Sequence, residues 1–254
     1  MSLSYYTHGT GPVRVLCAHS WVASSVSFAP ILSHLNPEKG TWVFPDFHGY
    51  GSSKPSETLP TIAGMAEDLM AVADDLGWDK FHLVGHSMGG QAVQAVLGNR
   101  NHRDRILTAS LVSPVPSHGY PLDSDTEEFF LTAASTPATM EQVVSTLAGG
   151  QRTAGFSHYI TALSQATANE STLRDYLRAW TLDDVSNSVG EYAGPVLVLS
   201  GELDPVLGPA VATQIASQFA NAEHKTIPGT GHFPPLESPA QVADELTRHI
   251  LAHP

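Results

Sequence analysis

Phe81-His82-Leu83-Val84-Gly85-His86-Ser87-Met88-Gly89-Gly90-Gln91-Ala92-Val93 passes from an apolar strand pattern, through Gly-His-Ser-Met-Gly, directly into a helical pattern. A G-x-S-x-G segment carries chemical meaning only in that strand–turn–helix context. A serine on so sharp a turn is held in strained backbone geometry. Side chains two residues to either side would collide with strand or helix, which accounts for both glycines. Ser87 at a helix start also sits beside unpaired N–H groups and the positive end of the helix dipole, where a developing oxyanion is stabilised. The bland alternative is an ordinary strand-to-helix turn that contains Gly, Ser and Gly. Gly90, placed for close helix packing, adds weight to the first reading.

On either side of this turn, short apolar runs alternate with amphipathic helical patterns, which argues for parallel strands joined by crossover helices. Strands are expected at residues 13–18, 41–44, 80–84, 106–113, 196–200 and 224–227, with 4–8 as an antiparallel edge strand turning through Gly9-Thr10-Gly11-Pro12. Helical periodicity is clearest at 61–76, 89–99, 206–219 and 239–251. In the first of these Ile62, Met65, Ala66, Leu69, Val72 and Leu76 share a face. The expected class is α/β, a mostly parallel twisted sheet flanked by helices. The alternation breaks over 118–194, where helix-like segments at 127–134, 140–147, 156–167 and 173–180 occur without a convincing strand. This stretch reads as a helical lid inserted between a first core part, 1–117, and a second, 195–254.

The 254 residues fit one domain. A chain of this size buries roughly three-quarters of its unfolded surface, so it needs no disulfide or metal to hold it together. Twelve Lys and Arg face 25 Asp and Glu, a formal charge of −13 that repels phosphate backbones and anionic lipid. Neither nucleic acid nor a membrane is therefore an expected partner. Cys17 is the only cysteine, which rules out an intramolecular disulfide, and its apolar surroundings make it a small buried hydrophobe. Met1-Ser2-Leu3-Ser4-Tyr5-Tyr6 has no basic region followed by an apolar one, and no apolar stretch approaches the ~20 residues that span a bilayer. A soluble cytoplasmic protein is expected. His82 and His86 are four apart, but on a strand-to-turn segment, and no H-E-x-x-H or cysteine pairing accompanies them, so no metal is expected. His102, His118 and His158 read as surface or lid residues. No dinucleotide fingerprint is present, and no cofactor is implied.

The serine turn, together with Asp46-Phe47-His48-Gly49-Tyr50-Gly51-Ser52-Ser53 and Gly229-Thr230-Gly231-His232, resembles the α/β-hydrolase fold family over essentially the whole chain. The 46–53 loop is similar to the family's D-x-R-G-x-G-x-S segment, with His48 where arginine is usual. That arginine mainly ties loops together, so the departure touches structure more than chemistry. The resemblance implies a catalytic triad in the chain order Ser87, Asp204, His232. His232 follows the last strand pattern, where the family carries its base. Gly201-Glu202-Leu203-Asp204-Pro205 follows residues 196–200, where it carries its acid, with Glu202 as rival two residues away. Ser113, where some relatives carry an alternative acid, is not acidic. The base takes the serine proton, and the acid holds the imidazole in the correct tautomer. The resemblance further implies an oxyanion hole from the backbone N–H groups of Met88 and Trp21, the loss of one such donor typically costing ~3 kcal/mol. In His19-Ser20-Trp21-Val22 the serine stands where the family often has glycine.

These residues imply hydrolysis of a carboxylic ester or lactone through an acyl-enzyme on Ser87. The substrate is expected to be a small, mostly apolar molecule, with Trp21, Phe47, Phe156, Tyr159 and Trp180 as candidate pocket residues. A serine nucleophile argues against the haloalkane dehalogenases and epoxide hydrolases of this family, which use aspartate there. Val22 and Ala23, rather than proline, argue against perhydrolase-type relatives. C–C bond hydrolysis on the same triad and slow-turnover ligand reception stay open at this point, because fold does not fix function.

Overall fold

The inner strands are largely buried, apolar-rich runs because both faces of the sheet are covered there. A computed structural model describes residues 3–253; Met1 and Ser2, which begin the N-terminal stretch considered above, and Pro254 lie outside the described residues. The strands are β1 (Tyr5–His8), β2 (Val13–Ala18), β3 (Gly40–Pro45), β4 (Phe81–His86), β5 (Ile106–Val112), β6 (Val196–Gly201) and β7 (Ala222–Ile227). They lie in the order β1-β3-β2-β4-β5-β6-β7, all parallel except β1, which pairs antiparallel with β3. Side chains alternate between the two faces. Leu16, Leu83, Leu111 and Val198 enter one hydrophobic layer, and Val15, Val84, Val112 and Leu197 the other.

Helices α1 (Ile62–Asp75) and α2 (Met88–Gly98) cover the first face. Between β5 and β6 the chain builds α3 (Ser124–Ser135), α4 (Pro137–Leu147), α5 (Ala154–Thr167) and α6 (Glu170–Leu182). After β6 come α7 (Pro209–Ala216), the single-turn α8 (Pro234–Glu237) and α9 (Pro239–Leu251). A 3-10 segment, Ser25–His34, packs with α9 on the second face. Helix starts follow side-chain caps: Thr61 accepts from Gly64 N–H, Asp123 from Thr126 N–H and Asn169 from Thr172 N–H.

The elements fall where the sequence pattern places them, with informative differences at their ends. β4 runs two residues beyond its apolar stretch, because Gly85 and His86 still pair with Leu111 and Val112. The helix expected from 206 begins only at Pro209, because residues 205–208 wrap around a carboxylate instead. The 3-10 segment carries Pro30 and no helical stripe, so periodicity gave no sign of it. The C-terminal ends of β2, β4, β6 and β7 share one edge of the sheet, and their loops deliver residues 19–22, 87, 202–207 and 228–233 to one place.

Candidate active site

Ser87 occupies a backbone conformation, φ 56° and ψ −117°, that few non-glycine residues adopt. Its neighbours hold it there. Ser87 N–H donates to Val112 O at 2.9 Å, and its carbonyl accepts from Gly90, Gln91 and Val115 N–H at 2.9, 3.2 and 3.1 Å. The flanking glycines are required by space. A Cβ at Gly85 would lie 2.4 Å from Gly89 O, and one at Gly89 would lie 2.3 Å from Ala18 O. The strain is thus spread over strand, helix and the neighbouring β2 loop.

His232 Nε2 stands 2.9 Å from Ser87 Oγ, and His232 Nδ1 stands 2.8 Å from Asp204 Oδ2. The second oxygen of Asp204 accepts from Val206 and Leu207 N–H, both at 3.0 Å. Burial alone would raise the Asp204 pKa, but the imidazole beside it and these two N–H groups more than offset that, and its pKa is lowered. The ionised carboxylate therefore fixes the Nδ1–H tautomer and leaves Nε2 free to accept from serine. Glu202 is occupied elsewhere, accepting from Gly229 N–H at 2.8 Å.

The base is anchored through its backbone as well. His232 N–H donates to Leu147 O at 2.9 Å, and His86 Nε2–H donates to His232 O at 2.8 Å. The His86 ring lies 5.5 Å from that of His232, and burial followed by the neighbouring imidazole lowers its pKa to about 3. His86 is therefore neutral and links the nucleophile strand to the base loop. Its position inside the serine motif was visible in the sequence; its partner, 146 residues away, was not.

The β2 loop is fixed by His19 and Tyr50. His19 Nδ1–H donates to Ser20 O at 2.8 Å, and Nε2 accepts from Phe47 N–H at 3.0 Å, an arrangement that needs neutral imidazole. Burial lowers its pKa to about 4. Tyr50 O–H donates to Trp21 O at 2.8 Å, and Trp21 Nε1–H donates to Leu173 O at 2.7 Å. Ser20 does not have positive φ, so no glycine is needed there. Neither Trp21 N–H nor Met88 N–H has a protein acceptor among the described residues. His48 ties its own loop together, donating from Nδ1 to Lys54 O, with Nε2 3.6 Å from Asp68.

Ser87 and His232 open onto a narrow cavity of about 40 Å³, lined by Trp21, Val115, Phe130, Leu147, Trp180 and Leu207 among others. Of the five aromatics expected in the pocket, Trp21 and Trp180 line this cavity. Phe47, Phe156 and Tyr159 do not. Phe47 is fully buried against His19 and Tyr176, behind the β2 loop. Phe156 packs behind the base, its ring 6.4 Å from that of Phe233. Tyr159 is 50% exposed on the outer side of α5. The reason is that α5 turns Ser157, Ile160, Thr161 and Ser164 inward, so hydroxyl residues, not aromatics, mark its buried face. Phe130, Tyr120, Val206 and Leu207 went unnoticed; the last two were legible only as neighbours of Asp204.

A family model described as "alpha/beta hydrolase fold" matches residues 13–239. The chain is 24% identical over 211 residues to Esterase YbfF of Escherichia coli, covering 81% of this chain and 80% of that one. It is 26% identical over 257 residues to a pimeloyl-[acyl-carrier protein] methyl ester esterase of Xanthomonas campestris pv. campestris, covering 97% and 98% of the two chains. Among solved structures, an esterase from Exiguobacterium antarcticum superposes with a TM-score of 0.87 at 18% identity, covering 98% of this chain and 95% of the other. At that identity the superposition speaks for the fold alone.

Proposed function

Because the chain belongs to the α/β-hydrolase fold family, we propose that it is a serine hydrolase that cleaves a small, mostly apolar carboxylic ester or lactone. The observation that carries this reading is the unbroken hydrogen-bonded line from Ser87 Oγ through His232 to Asp204, at 2.9 and 2.8 Å, on the floor of an apolar cavity. The ester-hydrolysing names of the relatives support an ester over other carbonyl substrates.

His232 Nε2 takes the Ser87 proton as Oγ bonds to the substrate carbonyl carbon. The carbonyl oxygen, now negative, accepts from the N–H groups of Met88 and Trp21. Collapse breaks the bond to the leaving alkoxide, which takes the proton from His232. Water then attacks the acyl-enzyme, giving its proton to His232, and Ser87 is regenerated with release of the acid. Asp204 stays ionised throughout and stabilises the imidazolium. Residues 118–194, with α3 to α6, act as a lid whose Phe130 and Trp180 shape the acyl site. We place the reaction in the cytoplasm, consistent with a single buried cysteine and with no helix among the described residues long and apolar enough to cross a membrane.

The test is hydrolysis of p-nitrophenyl acetate and butyrate by the wild type and Ser87→Ala. Turnover that vanishes in the variant supports the reading; turnover that survives it overturns the assignment of Ser87. Folded protein that cleaves vinylogous 1,5-diketones but neither these esters nor simple lactones would replace ester hydrolysis with C–C cleavage.

A further inference from the structure

We propose that Glu237, secured by Arg152, is a positioning residue for His232, and that through it the helical insertion sets the alignment of the base. The inference rests on the serine-hydrolase reading above. The Glu237 side chain has no solvent exposure, yet it stands on a single turn of helix beside the 229–233 loop. Its oxygens accept from Gly231 N–H at 3.0 and 2.9 Å and from Phe233 N–H at 2.9 Å, the two residues that flank His232. Arg152 Nε donates to Glu237 Oε2 at 2.8 Å, and Arg152 Nη2 donates to Gly229 O at 2.7 Å.

Arg152 lies between α4 and α5, outside the sheet, and is 30% exposed. Leu147, whose carbonyl accepts from His232 N–H, is the last residue of α4. The insertion therefore grips both the base and its flanking loop, and neither Glu237 nor Arg152 is among the residues that line the cavity. A buried carboxylate is costly unless its lone pairs are filled and its charge is paired, and here both conditions hold. Removing either partner leaves the other with an unmet charge or lone pair, and the peptide planes at 231–233 are then free to rotate. Rotation there swings the imidazole away from Ser87 Oγ. A misplacement of about 1 Å in such a site costs on the order of 100-fold, so a partial loosening should cost about 10-fold.

The decisive comparison is Arg152→Met, Arg152→Lys and Glu237→Gln against the wild type, read by kcat and KM for p-nitrophenyl acetate. The downfield proton resonance of the His232–Asp204 hydrogen bond is followed alongside. We expect kcat to fall about 10-fold in Arg152→Met and Glu237→Gln, with KM within about two-fold, partial recovery in Arg152→Lys, and a shifted or broadened resonance. Folded Arg152→Met with kcat within two-fold of wild type and an unmoved resonance overturns the proposal, whatever its thermal stability. A loss carried by KM alone overturns it too. Should Glu237→Gln not fold, the partly exposed Arg152 variants decide the matter. A wild type without Ser87-dependent turnover would defeat the hydrolase reading instead, and the resonance would still report on the clamp.

Discussion

Ser87 can present its hydroxyl to His232 only because its backbone is held at φ 56° by its bond to Val112 O and by bonds from Gly90, Gln91 and Val115 N–H. The three residues Ser87, Asp204 and His232 were each legible because each lies in a short local motif at a strand end. Their separation along the chain does not matter, because parallel strands deliver their C-terminal loops to one edge. What local motifs could not reveal is the anchoring of the base backbone, since His86 and Leu147 meet His232 only by tertiary contact. At this scale Asp204→Asn is expected to lower kcat by roughly 10³–10⁴-fold while the fold is retained, because the wrong imidazole tautomer then faces Ser87. Steady-state kinetics with circular dichroism check this. A loss below about 10-fold would mean that Asp204 does not orient the base.

Among the elements, strands and core-facing helices were readable because their apolar residues repeat at two or at 3.6. The insertion was readable as helices but not as surfaces. In α5 the buried stripe includes Ser157, Thr161 and Ser164, so an aromatic side chain does not mark the face that turns inward. Two expectations follow from the observed packing. Phe130→Ala should widen the cavity and raise the rate on p-nitrophenyl butyrate relative to acetate several-fold, whereas Tyr159→Ala, on the outer side of α5, should leave that ratio unchanged. Parallel rate measurements on the two esters distinguish these. Gly89→Ala should destabilise the protein by about 1–3 kcal/mol and abolish most activity, because the added methyl meets Ala18 O at 2.3 Å, with no flexible side chain to give way. Thermal unfolding and turnover of the same preparation check both halves of that expectation.

Over the whole molecule the burial of histidine governs the response to acid. His19, His82 and His249 titrate at about 4, and His86 at about 3, each because burial disfavours its charged form, with neighbouring histidines adding to the effect at His82, His86 and His249. The unfolded chain binds those protons near pH 6.5, so between about 6.5 and 4 it carries more of them than the folded one. Stability is therefore complete above about pH 6.5 and is lost progressively as the pH falls toward 4. The lowered pKa of Asp204 works in the same direction at lower pH still. Thermal unfolding between pH 7.5 and 4 should show Tm falling through this window. A Tm that stays flat would show that the buried histidines take up protons without unfolding.

The most direct test traps the intermediate. Wild-type protein mixed with p-nitrophenyl acetate and quenched in acid within the first turnovers should carry one acetyl group, located by peptide mass mapping on Ser87. Release of p-nitrophenol without an acetyl group on Ser87, or with one on another residue, would contradict a Ser87 acyl-enzyme assembled by His232 and Asp204.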